Sequence, residues 1–136
     1  MPKFNAIKCK EIMQALEDNP KYPSPLFFVH NVNLWGQEQI QCDGETIYNC
    51  VQLYDGMLIV GEMLNISDAD HQAFRADRLT SLGHDVLAKM NDTSVWPKIK
   101  EAMSNIRSTA EFLTALAPFF PMGWIDSLAH RIFSQT

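Results

Sequence analysis

The sequence predicts an α+β winged-helix domain with a helical C-terminal extension, and three observations predict it. Apolar residues recur at helical spacing in three places, two runs rich in β-branched and aromatic residues alternate with them, and a polar stretch separates the second run from a returning strand. Helix, strand, helix and a two-stranded ribbon with a loose tip is the winged-helix order.

Each element follows from its own residues. Cys9, Ile12, Met13 and Leu16 fall at i, i+3, i+4, i+7 and predict an amphipathic first helix, which stops at Asp18-Asn19-Pro20 because proline pushes Asn19 out of the helical region. After the connector YPSP, Leu26, Phe27, Phe28 and Val29, with Val32 and Leu34 beyond, suit a short strand; Trp35 to Gln41 is polar and ambiguous. Asp43 is a natural N-cap for a second helix whose stripe is Ile47, Cys50, Val51 and Tyr54, closed by Asp55-Gly56. Met57 to Ile66 reads as a strand, Ser67 to Gln72 as a wing tip, and Ala73 to Leu79 as the returning strand.

The junction RLTSLGHDVLAKMNDTSVW closes this arrangement. Thr80 or Ser81 caps the next helix, Gly83 removes a side chain where helix and ribbon approach, and Leu82, Val86, Leu87 and Met90 form the stripe. Asn91-Asp92-Thr93-Ser94 interrupts the helix and offers a fresh cap, after which Trp96, Ile99, Met103 and Ile106 continue, with Pro97 tolerated in the first turn. Ser108-Thr109-Ala110-Glu111 is a capping box for a helix bearing Phe112, Leu113 and Leu116, broken by Pro118 and Pro121. A last helix is expected from about Met122, burying Ile125, Leu128, Ala129 and Ile132. The expected organisation is a winged-helix domain over 1–107 with an extension, 108–136, packed on it.

With 136 residues, 46% apolar and 20% charged, the chain is expected to bury a core without metal or disulfide staples. No basic and apolar leader opens it and no apolar run reaches spanning length, so a cytoplasmic protein is expected, with no membrane association. Cys9, Cys42 and Cys50 lack any CxxC spacing and are expected as reduced thiols, a Cys42–Cys50 disulfide being the disfavoured alternative. The net charge of −5 is unevenly spread: between Tyr22 and Phe74 seven carboxylates stand without one lysine or arginine.

RLTSLGHDVLAKMNDTSVWPKIKE resembles the signature of a winged-helix family related to the YjcQ-like proteins, whose members pair an LTxxGHxxL segment with an NDTxW-type helix start. ALEDNP and YNCVQLYDGMLIVGE look like the same family's first helix and its central helix running into the wing, so the resemblance touches about residues 5 to 107. It implies a winged-helix fold and a phage, prophage or plasmid habitat, and supplies no catalytic or binding residues.

Neither zinc spacing, a nucleophile motif nor a phosphate loop is present; a non-enzymatic protein without cofactor or metal is expected. His84, at a helix start, is expected to bond a neighbouring backbone group, and His71 to be solvated on the wing. Glu45, Asn49, Gln52 and Asp55, opposite the central stripe, and Asp68, Asp70 and His71 on the wing are the candidate partner-binding residues. Their acidity favours a protein partner, including a nucleic-acid-binding protein of a host defence system, inhibited through an acidic surface. The alternative is a DNA-binding regulator in which Asn49 and Gln52 read adenine edges, but phosphate contacts need cations that this surface lacks. Phe119, Phe120 and Trp124 are the candidate self-association residues, for a homodimer through the tail.

Overall fold

A computed structural model describes residues 3–64, 70–104 and 106–121. Asn5 opens the first helix, α1 (Ala6–Glu17), by accepting the N–H groups of Ile7 at 2.9 Å and Lys8 at 3.1 Å. Cys9, Ile12, Met13 and Leu16 are all buried, as their spacing predicts, and Asp18 ends the helix.

β1 (Leu26–His30) has no solvent face, which explains its unbroken apolar run. Leu26 and Phe28 join the main core beneath the helices, whereas Phe27 and Val29 join Ala73 in a smaller cluster on the other face. The ambiguous stretch before residue 41 resolves into an edge strand, β2 (Gln39–Gln41), parallel to β1. Its glutamines explain why a polar segment is placed here. Gln39 accepts from Leu34 N at 2.9 Å and donates to Leu34 O at 3.0 Å and Asn33 Oδ1 at 3.1 Å, while Gln41 donates to Val32 O at 2.7 Å. The loop so held lays Val32 and Leu34 over the smaller cluster.

Asp43 caps α2 (Gly44–Asp55), as predicted, but the buried face is rotated from the expected stripe. Ile47, Asn49, Cys50 and Leu53 are buried, Val51 is only partly so, and Tyr54 is 47% exposed. Leu53 takes the place assigned to Tyr54 because α2 packs against α1 as well as the sheet, which widens its buried arc. β3 (Ile59–Met63) is shorter than the predicted run, and β4 (Gln72–Leu79) returns antiparallel to it. Asn65 and Ile66, the end of the predicted strand, and Ser67, Asp68 and Ala69 of the expected wing tip lie outside the described residues. The sheet order is β2-β1-β4-β3, mixed and open, with β4 antiparallel to both neighbours.

Thr80 caps α3 (Ser81–Met90), its hydroxyl accepting from Gly83 N at 3.0 Å and donating to Met57 O at 2.6 Å. A Cβ on Gly83 would stand 2.0 Å from Leu58 O, so helix and hairpin touch through bare backbone, as expected of this glycine. α4 (Trp96–Ala102) differs in its cap: Asp92 Oδ1 accepts from Ser94 N at 2.9 Å and Ser94 Oγ at 2.6 Å, folding a local turn, and Val95 opens the helix without a side-chain cap. Ser108 caps α5 (Thr109–Leu116), while Glu111 accepts from Arg107 N at 2.9 Å, one residue beyond the capping-box partner, Ser108 N. Phe112, Leu113 and Leu116 enter the same main core as α1, and a 3₁₀ turn, Ala117–Phe119, follows. The helix expected from about Met122 lies outside the described residues.

The described chain is therefore α+β, with five α-helices and an open four-stranded mixed sheet. Between β1 and β3 it has one helix, α2, and the edge strand β2, where a helix-turn-helix has two helices. Among the described residues no helix is long and apolar enough to cross a membrane.

Candidate binding surface

Two of the four candidates on α2 are committed to α1. Asn49 is fully buried. Its Oδ1 accepts from Asn5 N at 2.8 Å and its Nδ2 donates to Lys3 O at 3.0 Å and Glu45 O at 2.8 Å. The expectation that Asn49 faces outward to read a base is corrected: α1 packs across that side of α2, and the amide satisfies backbone there. Glu45, half-buried, accepts from Asn5 Nδ2 at 3.4 Å, and Asp43 beside it pairs with Lys8 at 2.6 Å. The Lys8 ammonium and the Thr46 hydroxyl and N–H hold the Asp43 carboxyl well below its ordinary range, while the same bond raises Lys8.

The remaining candidates separate to opposite ends of the hairpin. Asp55 is exposed just before β3, whereas Asp70 and His71 are exposed just before β4, about 17 Å away along a five-residue strand. Asp70 O accepts from Asn31 Nδ2 at 2.9 Å, close to His30, whose Nδ1 meets Cys42 O at 2.9 Å. Gln52, on α2 three residues before Asp55, is partly buried. The acid-only middle third is also less negative in three dimensions than in sequence, because Lys8, Lys21 and Arg75 from its flanks pair with Asp43, Glu38 and Glu62.

What the fold does assemble is a corner that periodicity missed. β3 edges the sheet, with β4 on its inner side and no other strand of the described residues on its outer side. Tyr54, whose ring centroid lies 6.3 Å from that of Phe74, and Met63, which pairs with Phe74 across the ladder, are both exposed beside it. A groove of about 340 Å³ opens at the start of the strand, lined by Tyr54, Asp55, Met57, Ile59, Val60 and Thr80. Neither α2 nor β3 carries a lysine or arginine. Tyr54 was legible as aromatic but was assigned to the core; Leu53, one position earlier and more apolar, was the available signal that it is not.

Residues 5–110 match the family described as Hypothetical protein (DUF2513). The chain belongs to the DUF2513 family. No curated protein and no solved structure matches it. The DUF2513 segment holds the described sheet, α1 to α4 and every partner-binding candidate from Glu45 to His71, while most of α5 lies beyond it. Phe119 and Phe120 also lie beyond it; both are partly buried against the main core, with Lys89 Nζ 5.7 Å from the Phe120 ring. Trp124 lies outside the described residues.

Chemistry elsewhere on the DUF2513 scaffold is limited. All three thiols are free. Burial pushes Cys9 and Cys50 up, and Cys42, half-buried beside Asp43, up to about 11, so none is a thiolate at neutral pH. No group of three metal-ligating side chains converges among the described residues. The exception to the backbone role expected of His84 is its imidazole: Nδ1 lies 3.0 Å from Glu17 Oε2.

Proposed function

We propose that this DUF2513 protein is a non-enzymatic binding protein of phage or mobile-element type that engages a protein partner through the β3 corner. The carrying observation is an edge strand with no other strand of the described residues on its outer side, bordered by exposed Tyr54 and Met63 and by Asp55 and Glu62. An extended segment of the partner adds to β3 through main-chain hydrogen bonds, Tyr54 and Met63 receive its apolar side chains, and the carboxylates favour a basic sequence. A nucleic-acid-binding protein presents such basic segments, which fits an inhibitor acting on a defence complex. The winged-helix reading, with the β3–β4 hairpin as wing and YjcQ-like proteins as relatives, rests on the order of elements and on the RLTSLGH and NDTSVW stretches. A DNA-binding regulator is the weaker reading, because α2 offers phosphate no cation.

The test is capture by the tagged chain from lysate of its own host, with and without nuclease. A protein retained through nuclease treatment, lost with Tyr54→Ala and with the double substitution Asp55→Lys and Glu62→Lys, and slowing amide exchange along Ile59–Met63 would support the reading. DNA retained and lost on nuclease treatment would replace it with the regulator. A partner whose binding leaves exchange in β3 unchanged would move the contact elsewhere.

A further inference from the structure

The stretch RLTSLGH is only partly explained by architecture. Leu79 and Leu82 are core, Thr80 is the α3 cap, and Gly83 permits the close approach to Leu58. Arg78, Ser81 and His84 have no such role: all three are exposed, and all three line one groove of about 600 Å³. Its base is the edge of the core, Leu16 and Leu79, and its far wall is Tyr22 and Glu17 from the end of α1 and the loop after it. Thr80, between Leu79 and Ser81 in the chain, lines the groove beside β3 instead, so the two grooves flank the β4–α3 junction.

The charges in this groove are arranged asymmetrically. Glu17 and His84 are joined at 3.0 Å, which occupies the acid. Arg78 donates to Leu79 O at 3.1 Å and has no carboxylate partner among the described residues, whereas Arg75, three residues earlier on β4, pairs with Glu62 and Asp77. A guanidinium left over at the rim of an apolar-based groove has a fork of N–H donors available for a planar or tetrahedral oxyanion.

We propose that this groove binds a small organic oxyanion, a carboxylate or phosphate monoester on a compact apolar body. Arg78 takes the anionic group, Leu16 and Leu79 take the body beside the Tyr22 ring, and Ser81 and His84 bond its polar substituents. The volume is in the range of small-molecule sites, roughly 300–1,000 Å³. Glu17 limits the ligand to one anionic end, since a second would meet its carboxylate.

The test is an amide NMR titration of the full chain with benzoate, with phenyl phosphate, and with benzamide as the uncharged counterpart. Saturable shifts confined to Glu17, Tyr22 and Arg78 to His84 are expected with at least one anion, and the tighter of the two names the oxyanion. Arg78→Met, which keeps the apolar stem, should weaken that binding about tenfold or more. Glu17→Gln should tighten it, because the carboxylate that opposes an anion in the groove is removed. Both positions are exposed, so unchanged thermal midpoints will show that the variants fold. Absence of saturable shifts with both anions, equal binding of benzamide, or wild-type affinity in Arg78→Met would each overturn the proposal.

Discussion

Asn49 shows how one polar side chain organises its surroundings. Its amide satisfies the Asn5 N–H and the Lys3 and Glu45 carbonyls, and Cys9 Sγ lies 3.4 Å from its Oδ1. Asn49→Ala leaves the entry to α1 without these partners inside the protein, a cost of about 2–3 kcal/mol. Urea unfolding should therefore show a lower midpoint with an unchanged slope. A stable Asn49→Ala protein with an unchanged midpoint would mean that water replaces the amide. Helical spacing marked Asn49 as polar and hence as surface; periodicity records side-chain type, and only packing shows that a polar group has buried partners.

At the level of elements, the caps were the most legible feature. Asp43, Thr80 and Ser108 cap the helices they precede, as Asn5 caps α1, because a side-chain oxygen beside free N–H groups is a purely local arrangement. The α3 junction extends this to tertiary contact. Thr80 ties α3 to Met57 O, and Gly83 lets the helix meet Leu58 O directly. Gly83→Ala forces the helix off the hairpin, and calorimetry should show a loss of about 2 kcal/mol or more, opposite in sign to the gain alanine gives in an exposed helix. Strand β2 was not legible for the converse reason. Gln39 and Gln41 are poor strand formers by composition, and they are strand here because β1 and the 32–37 loop take up their hydrogen bonds.

For the whole molecule, the fold redistributes charge that the sequence keeps apart. Lys8 and Lys21 come from the first twenty-one residues and Arg75 from beyond the acidic stretch, yet all three land on its carboxylates. Asp43→Asn isolates one such link, since asparagine keeps the cap and loses the ion pair. A carboxyl lowered from 3.8 contributes stability that is fully present above that value and lost as pH falls through its folded value. Lys8, raised from 10.5, loses its share only at the alkaline end. At neutral pH the substitution should cost on the order of 0.5 kcal/mol, because Asp43 is 58% exposed and screened. In urea unfolding followed with pH, that difference should vanish in strongly acidic buffer; a difference that persists there would assign it to the cap. The sequence by itself determined the α+β class, the three principal helices, the buried strand β1 and most helix starts, since these depend on spacing and on neighbours within a turn. Tertiary structure alone decided that Asn49 is core, that Tyr54 is surface, that β2 completes the sheet, and that Arg78 and His84 share a groove with Glu17. Each of those depends on which element lies against which, and that is set by contacts between residues far apart in the chain.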